Sequence, residues 1–403
     1  DGAEEEAPAA IQVIHGRKPD GESREFPVAF SGKPMWRYPG ILLDRKQLEE
    51  SERLIELTDR DFARMNPNTK TAPIFRSRRD AEITRRVYER VPVLMREGPP
   101  EENPWGLTIR RVLDMNKSEV LEQCKTEKDL AVASKLLVPV FESKMINSYD
   151  HRYATYAGEG VREVGIDEKY NASYDTSAYY NISRKLIGDY AAKFQKHAWL
   201  LVWRNIARST DSRSLIGAIL PLVGTNFSIR VGFIKNSPVF GSLLLATFNT
   251  FIIDYVSRQK LGSANMSDYI TKQLPILPPS AFSVPCRWEV SAGTVADWIK
   301  LRVLELVYTS HSLEPFALDL GYTGRPFTWD VERRFALRCE LDAAFFHLYG
   351  IDTDDADYIL ETFPIVKRHD EAEFGEYRTK RVILERYDAF AVAMRSRLQN
   401  ERP

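Results

Sequence analysis

The sequence predicts an α+β protein, with a mixed α/β portion followed by a mainly helical C-terminal region. Three observations carry that expectation. Across residues 243–261, Leu244, Leu245, Phe248, Phe251, Ile252, Tyr255 and Val256 recur at helical spacing, with Asn249, Asp254, Arg258 and Gln259 opposite. Compact apolar runs at 136–140 and 198–203 read as strands. In the last third, Trp298, Leu301, Leu304 and Tyr308, then Phe335, Leu341, Phe345 and Leu348, mark the faces of two further helices.

Taken in order, residues 1–40 form a linker with short strands: an acidic Glu/Ala/Pro opening, then apolar residues punctuated by proline and glycine at 21–43. Charge-rich helical spacing follows over 44–65 (Leu48, Leu54, Ile55, Leu57, Phe62). The turn-rich stretch 66–77 leads into a helix over 80–90, where Asp80 complements the positive end of the helix dipole. Val138, Val140 and Met145 alternate with polar neighbours as a strand, 157–173 reads as a loop, and 183–196 as a helix. The long helix 243–261 stops at Gly262, which suits the positive φ of a helix end. After a polar turn, Leu274, Pro275, Ile276, Leu277, Pro278 and Pro279 read as an extended exit segment, since proline cannot donate to a ladder. Asp352 is expected to cap a helix, its neighbours Asp354 and Asp355 serving the dipole rather than a metal ion.

A net charge of −1 leaves no overall electrostatic footprint for nucleic acid, so any such surface must be a local patch. Cys124, Cys286 and Cys339 lie far apart without CxxC spacing, which fits a reducing cytoplasm and indicates neither a disulfide framework nor a zinc site. No apolar run has transmembrane length and no signal pattern opens the chain, so no membrane partner is expected. The chain begins at Asp1 and is read as a portion of a longer protein.

Several stretches carry a resemblance. Residues 66–94 read NPNTKTAPIFRSRRDAEITRRVYERVPVL, residues 142–156 ESKMINSYDHRYATY, and residues 204–221 RNIARSTDSRSLIGAILP. Further on come ATFNTF at 246–251, GSAN at 262–265 and LPILP at 274–278, then the helical stretches RVLELVYT and ELDAAFFHLYG. Together they resemble the C-terminal, target-recognition portion of type IIG (Eco57I-type) adenine-specific DNA methyltransferases of restriction–modification and phage-defence systems. Ser143 departs from the family, which carries glycine there. The resemblance implies a target recognition domain over 135–285, a mixed region over 41–134 following the methyltransferase core, and a helical region over 286–403.

It also implies double-stranded DNA as partner, together with the methyltransferase domain and subunits of a defence system. The expected DNA contacts are Lys144, His151, Arg152, Arg204, Arg208, Arg213, Arg258, Lys260, Asn265 and Lys272. Lys144, Arg152, Arg204, Arg208, Lys260 and Lys272 are expected to share one concave face, mostly contacting phosphate. No FxGxG loop for S-adenosylmethionine occurs, and Asn103-Pro104-Trp105-Gly106 lacks the second proline of an NPP[YF] loop and reads as a turn. No cofactor and no catalytic residue is therefore expected in this chain, S-adenosylmethionine belonging to the full-length protein. Two other readings stand beside this one. Glu142-Ser143-Lys144 imitates half of a PD-(D/E)xK nuclease, with Asp129 as the nearest upstream acid to share a metal ion. A protein-interaction scaffold in a phage-defence complex is the other.

Overall fold

The computed structural model describes residues 12–17, 23–28, 30–31, 35–39, 54–71, 73–113, 123–126, 136–206, 212–261 and 265–400. Over these residues the fold is α+β, with helices and several small sheets in one chain.

At its centre stands an antiparallel sheet ordered Gly217–Pro221, Trp199–Arg204, Ile229–Ile234, Leu107–Arg110. Side chains alternate across a strand, and here both faces are covered. Trp199, Leu201 and Trp203 enter one apolar core, while Leu200 and Val202 enter the other. A strand buried on both sides carries no polar alternation, which is why WLLVW is continuous in the sequence. The second core is closed by a smaller sheet in which Leu137–Phe141 pairs with Tyr180–Ser183 and, in parallel, with Gly224–Thr225. The first is closed by helices and draws its residues from between Ile55 and Ile383, on either side of the boundaries expected at 134/135 and 285/286.

The helix expected over 243–261 is two helices, Val239–Phe248 and Phe251–Arg258, bent by 60°. The reason lies at Asn249 and Thr250. The Asn249 amide accepts from the Gly217 backbone N–H (2.9 Å) and donates to the Gly217 carbonyl (3.0 Å), pinning the chain to a sheet edge. Thr250 is extended, and Asp342 accepts the first N–H of the second helix, that of Phe251, at 2.7 Å. The polar row opposite the apolar face is buried too, Asp254 completely. Helical spacing identified the helices but could not reveal partners for that row.

Three other expectations change. Leu54–Thr58 is a strand paired with Met35–Pro39, and only Asp59–Met65 is helical, started by a Thr58–Asp61 capping box; residues 44–53 lie outside the described residues. The loop expected over 157–173 holds the hairpin Ala154–Ala157/Gly160–Glu163 and the short helix Ile166–Tyr170. Met145 leaves the strand for a 3₁₀ turn. Elsewhere the elements fall where periodicity puts them: Arg78–Arg90, Arg184–Ala191, Val295–Val307 and Val331–Tyr349 are helices, and Asp352 caps Thr353–Glu361. The Leu274–Leu277 stretch is extended, Pro275 bridging Val93, with Leu94 N–H donating to the Leu274 carbonyl at 2.8 Å. No single helix among the described residues is long and apolar enough to cross a membrane.

Candidate nucleic-acid interface

Arg204 closes the strand Trp199–Arg204, whose apolar residues fix the strand in the core and leave this last side chain at the rim. Its Nε donates to the Ile146 carbonyl at 3.0 Å, and its guanidinium lies 5.8 Å from the Tyr153 ring centroid. Across a cleft of about 350 Å³ stands Arg213; Ile206, Ser212, Ser214, Ile216 and Ile365 complete the walls.

The bent helix pair holds the floor of this cleft. Arg213 Nε donates to Asp254 at 2.6 Å, and its Nη2 donates to the Asn249 carbonyl at 2.7 Å. The Ser214 backbone N–H donates to both Asp254 oxygens (3.1 and 2.9 Å). From the next helical turn, Arg258 donates to Asp254 at 3.0 Å and to the Ser212 carbonyl at 3.0 Å. Phe251 lies under Arg213 at 4.1 Å and Phe363 under Arg258 at 4.2 Å, adding cation–π attraction. Arg213 and Arg258 thus share one buried carboxylate, Asp254, while Arg204 stands at the opposite wall. Nearby, burial pushes the Asp342 carboxyl up to about 7, with Arg213 opposing.

The expected DNA contacts divide sharply. Arg204 and Arg213 are brought together at the cleft. Arg208 lies in 207–211, outside the described residues. Asn265 is exposed and bridges Ile206, beside the Met266 N–H that donates to the Asn205 carbonyl at 2.6 Å. Lys144 pairs with Glu142 at 3.1 Å, and Lys272 pairs with Glu97.

The others are internal. Arg152 has no exposed surface and donates to the carbonyls of Lys169, Asn171, Tyr174 and Thr309. His151 is buried against Ser310 (2.9 Å) and Ser312 (3.3 Å), and burial, reinforced by Arg152, lowers its pKa to about 3. Arg258 is buried on Asp254. Lys260 donates to the Met65 carbonyl at 2.5 Å and to Asn66, and desolvation holds its pKa well below the usual lysine range. Arg152, His151 and Arg258, expected to touch DNA, therefore brace the fold from inside, half-buried Lys260 is tied to Met65 and Asn66, and Arg152 at least does not share a surface with Arg204. The sequence reading missed Asp254 and Asn249 as organisers. Their signal was the polar row 249, 254, 258 on otherwise apolar helices.

For the nuclease reading, Glu142 bonds Lys144 and accepts from the Tyr156 hydroxyl at 2.7 Å, while Asp129 lies outside the described residues. Among the described residues no group of three or more His, Cys, Asp or Glu could hold a metal ion. Comparison with family models, curated proteins and solved structures gave no match.

Proposed function

We propose that this chain is a DNA-reading module, the target-recognition portion of an adenine-specific methylation or restriction–modification enzyme acting in the cytoplasm. The methyltransferase domain, with its S-adenosylmethionine, is its partner. One observation carries the reading: stretches far apart in sequence, ending in Ile146, Arg204, Arg213 and Asp254, converge at one cleft that two arginines, Arg204 and Arg213, line. A guanidinium carries five donors in a planar fork, more than the two bonds that hold Arg213 in place. Such forks with serine hydroxyls beside them match phosphate oxygens, and phosphate contacts set the register from which neighbouring loops read base edges.

The test is duplex binding measured against salt. Neutralising phosphates releases counterions, so affinity should fall steeply as salt rises, and Arg204→Ala should lower the salt slope by about one if it holds one phosphate. Duplex binding that is absent, or unchanged between low and high salt, would favour the protein-interaction scaffold instead.

A further inference from the structure

A second, larger cleft of about 620 Å³ opens between the Leu137–Phe141 sheet and the segment that begins at Ser312. Its volume falls in the range of small-molecule sites, roughly 300–1,000 Å³. We propose that it binds a small amphipathic anion, with a phosphate or carboxylate head held by Arg152 and Arg184 and an apolar body lying against Pro139, Phe141, Pro221 and Leu222.

The charge argument begins at Arg152. Its two terminal nitrogens are bonded to backbone carbonyls, but its buried Nε has no hydrogen-bond partner. An orphaned buried cationic donor is costly, and an anionic acceptor in the cleft would relieve it. Around Arg152 stand Arg334 and Lys169, both buried or nearly so, against one buried carboxylate, Asp150, which Lys169 holds at 2.6 Å. Among the described residues the cleft wall carries one acid, Asp175, which is exposed and acts on Arg152 more weakly than Asp150. At the mouth, Arg184 is exposed and has no ion pair among the described residues.

The shape argument is independent. Gly188 lies inside the helix Arg184–Ala191 and on the cleft wall, and a Cβ there would meet nothing within 4 Å. Glycine inside a helix costs roughly 0.5–1 kcal/mol relative to alanine, and no packing contact explains it here. It leaves room on the cleft side. The wall also offers His151 and Ser312, already joined at 3.3 Å. With its imidazole kept neutral by burial, that pair suits hydrogen bonding to a ligand rather than proton abstraction.

Titration calorimetry of the full chain tests this with adenosine monophosphate and octanoate, each against its uncharged counterpart, adenosine or octanol. One anion should bind, with its neutral counterpart at least roughly ten-fold weaker. Arg184→Glu should weaken binding by a similar factor, about ten-fold, by reversing the charge at the mouth. Gly188→Leu should fill the cleft and remove binding while the urea midpoint stays at or above that of the parent. A response to adenosine monophosphate alone assigns a planar body, and one to octanoate alone assigns an aliphatic one. The proposal is overturned if neither anion binds at millimolar concentration or if the neutral compounds bind as well. Unchanged affinity in Arg184→Glu, or in a folded Gly188→Leu, also overturns it. DNA binding by the Arg204 cleft is read separately, so the two proposals fail separately.

Discussion

Asp254, with no exposed surface, lies 2.6 Å from the Nε of Arg213 and ties the second half of the bent helix pair to the floor of the Arg204 cleft. Removing one partner of a buried, hydrogen-bonded charge pair is far costlier than the net worth of the pair, because it strands the other charge. Asp254→Asn removes the carboxylate charge that Arg213 and Arg258 share, and should cost about 3–5 kcal/mol in chemical denaturation. A urea midpoint equal to that of the parent would show that the two arginines find other partners.

Arg152 and Arg204 should respond to mutation in opposite ways. Arg152→Ala leaves four backbone carbonyls without their donor and should destabilise the fold by roughly 3 kcal/mol or more, leaving the DNA affinity of the folded fraction unaltered. Arg204→Ala should lower affinity and salt slope with a smaller effect on stability. A stable Arg152→Ala protein that no longer binds duplex would return Arg152 to the DNA surface.

His151 and Asp342 should impose opposing pH slopes. The folded pKa of His151, about 3, lies below its unfolded value, so its contribution is complete above about pH 6.5 and is lost as pH falls from there. Asp342 is raised to about 7, so its contribution is complete below about pH 4 and is lost as pH rises toward 7. Asp342→Asn keeps an acceptor for the Phe251 N–H and removes only the second slope. Relative to the parent, it should gain on the order of 3 kcal/mol between pH 4.5 and 7.5. His151→Asn should flatten the acid limb instead. Urea midpoints across that range decide the matter, and parallel curves for parent and variants would refute both assignments.

Two glycines should respond to alanine with opposite signs. At Gly241 a Cβ would sit 2.5 and 2.8 Å from ring atoms of the buried Trp199, so Gly241→Ala should cost roughly 1–3 kcal/mol through overpacking. Gly188→Ala, in open space, should stabilise by roughly 0.5–1 kcal/mol. Thermal midpoints that move in the same direction would count against this reading of the packing.

The elements of this fold were more legible than its site. Continuous apolar runs such as WLLVW and the Val331–Tyr349 pattern carry their own evidence of burial, because one- and two-sided packing leave different periods. The break at Asn249 was not legible, since its cause, Gly217 on a distant strand, has no signature in the local pattern. The same limit applied to Arg152, Arg258 and Lys260. A basic residue beside a turn looks alike whether it faces solvent or caps carbonyls brought in from elsewhere. Asp254 with Arg258, one helical turn apart and surrounded by apolar residues, was the exception that could have been read.

The pairing of residues 68–95 with 272–276 bears on how the chain is made. The Asn68 backbone N–H donates to Gln273 across 205 residues of sequence, and Leu94, Met95 and Tyr88 also bond into that later segment. At synthesis rates of roughly 5–20 residues per second, the early segment waits about 10–40 s on the ribosome before its partner emerges. Through that interval the helix Arg78–Arg90 can pack on Leu54–Thr58 and Asp59–Met65, which precede it, but lacks every native contact that the 272–276 segment supplies. Loop closure over so long a span makes folding slow as well as late. Slowing translation should therefore expose this helix for longer, and holdase chaperones should engage the nascent chain there rather than at the central sheet.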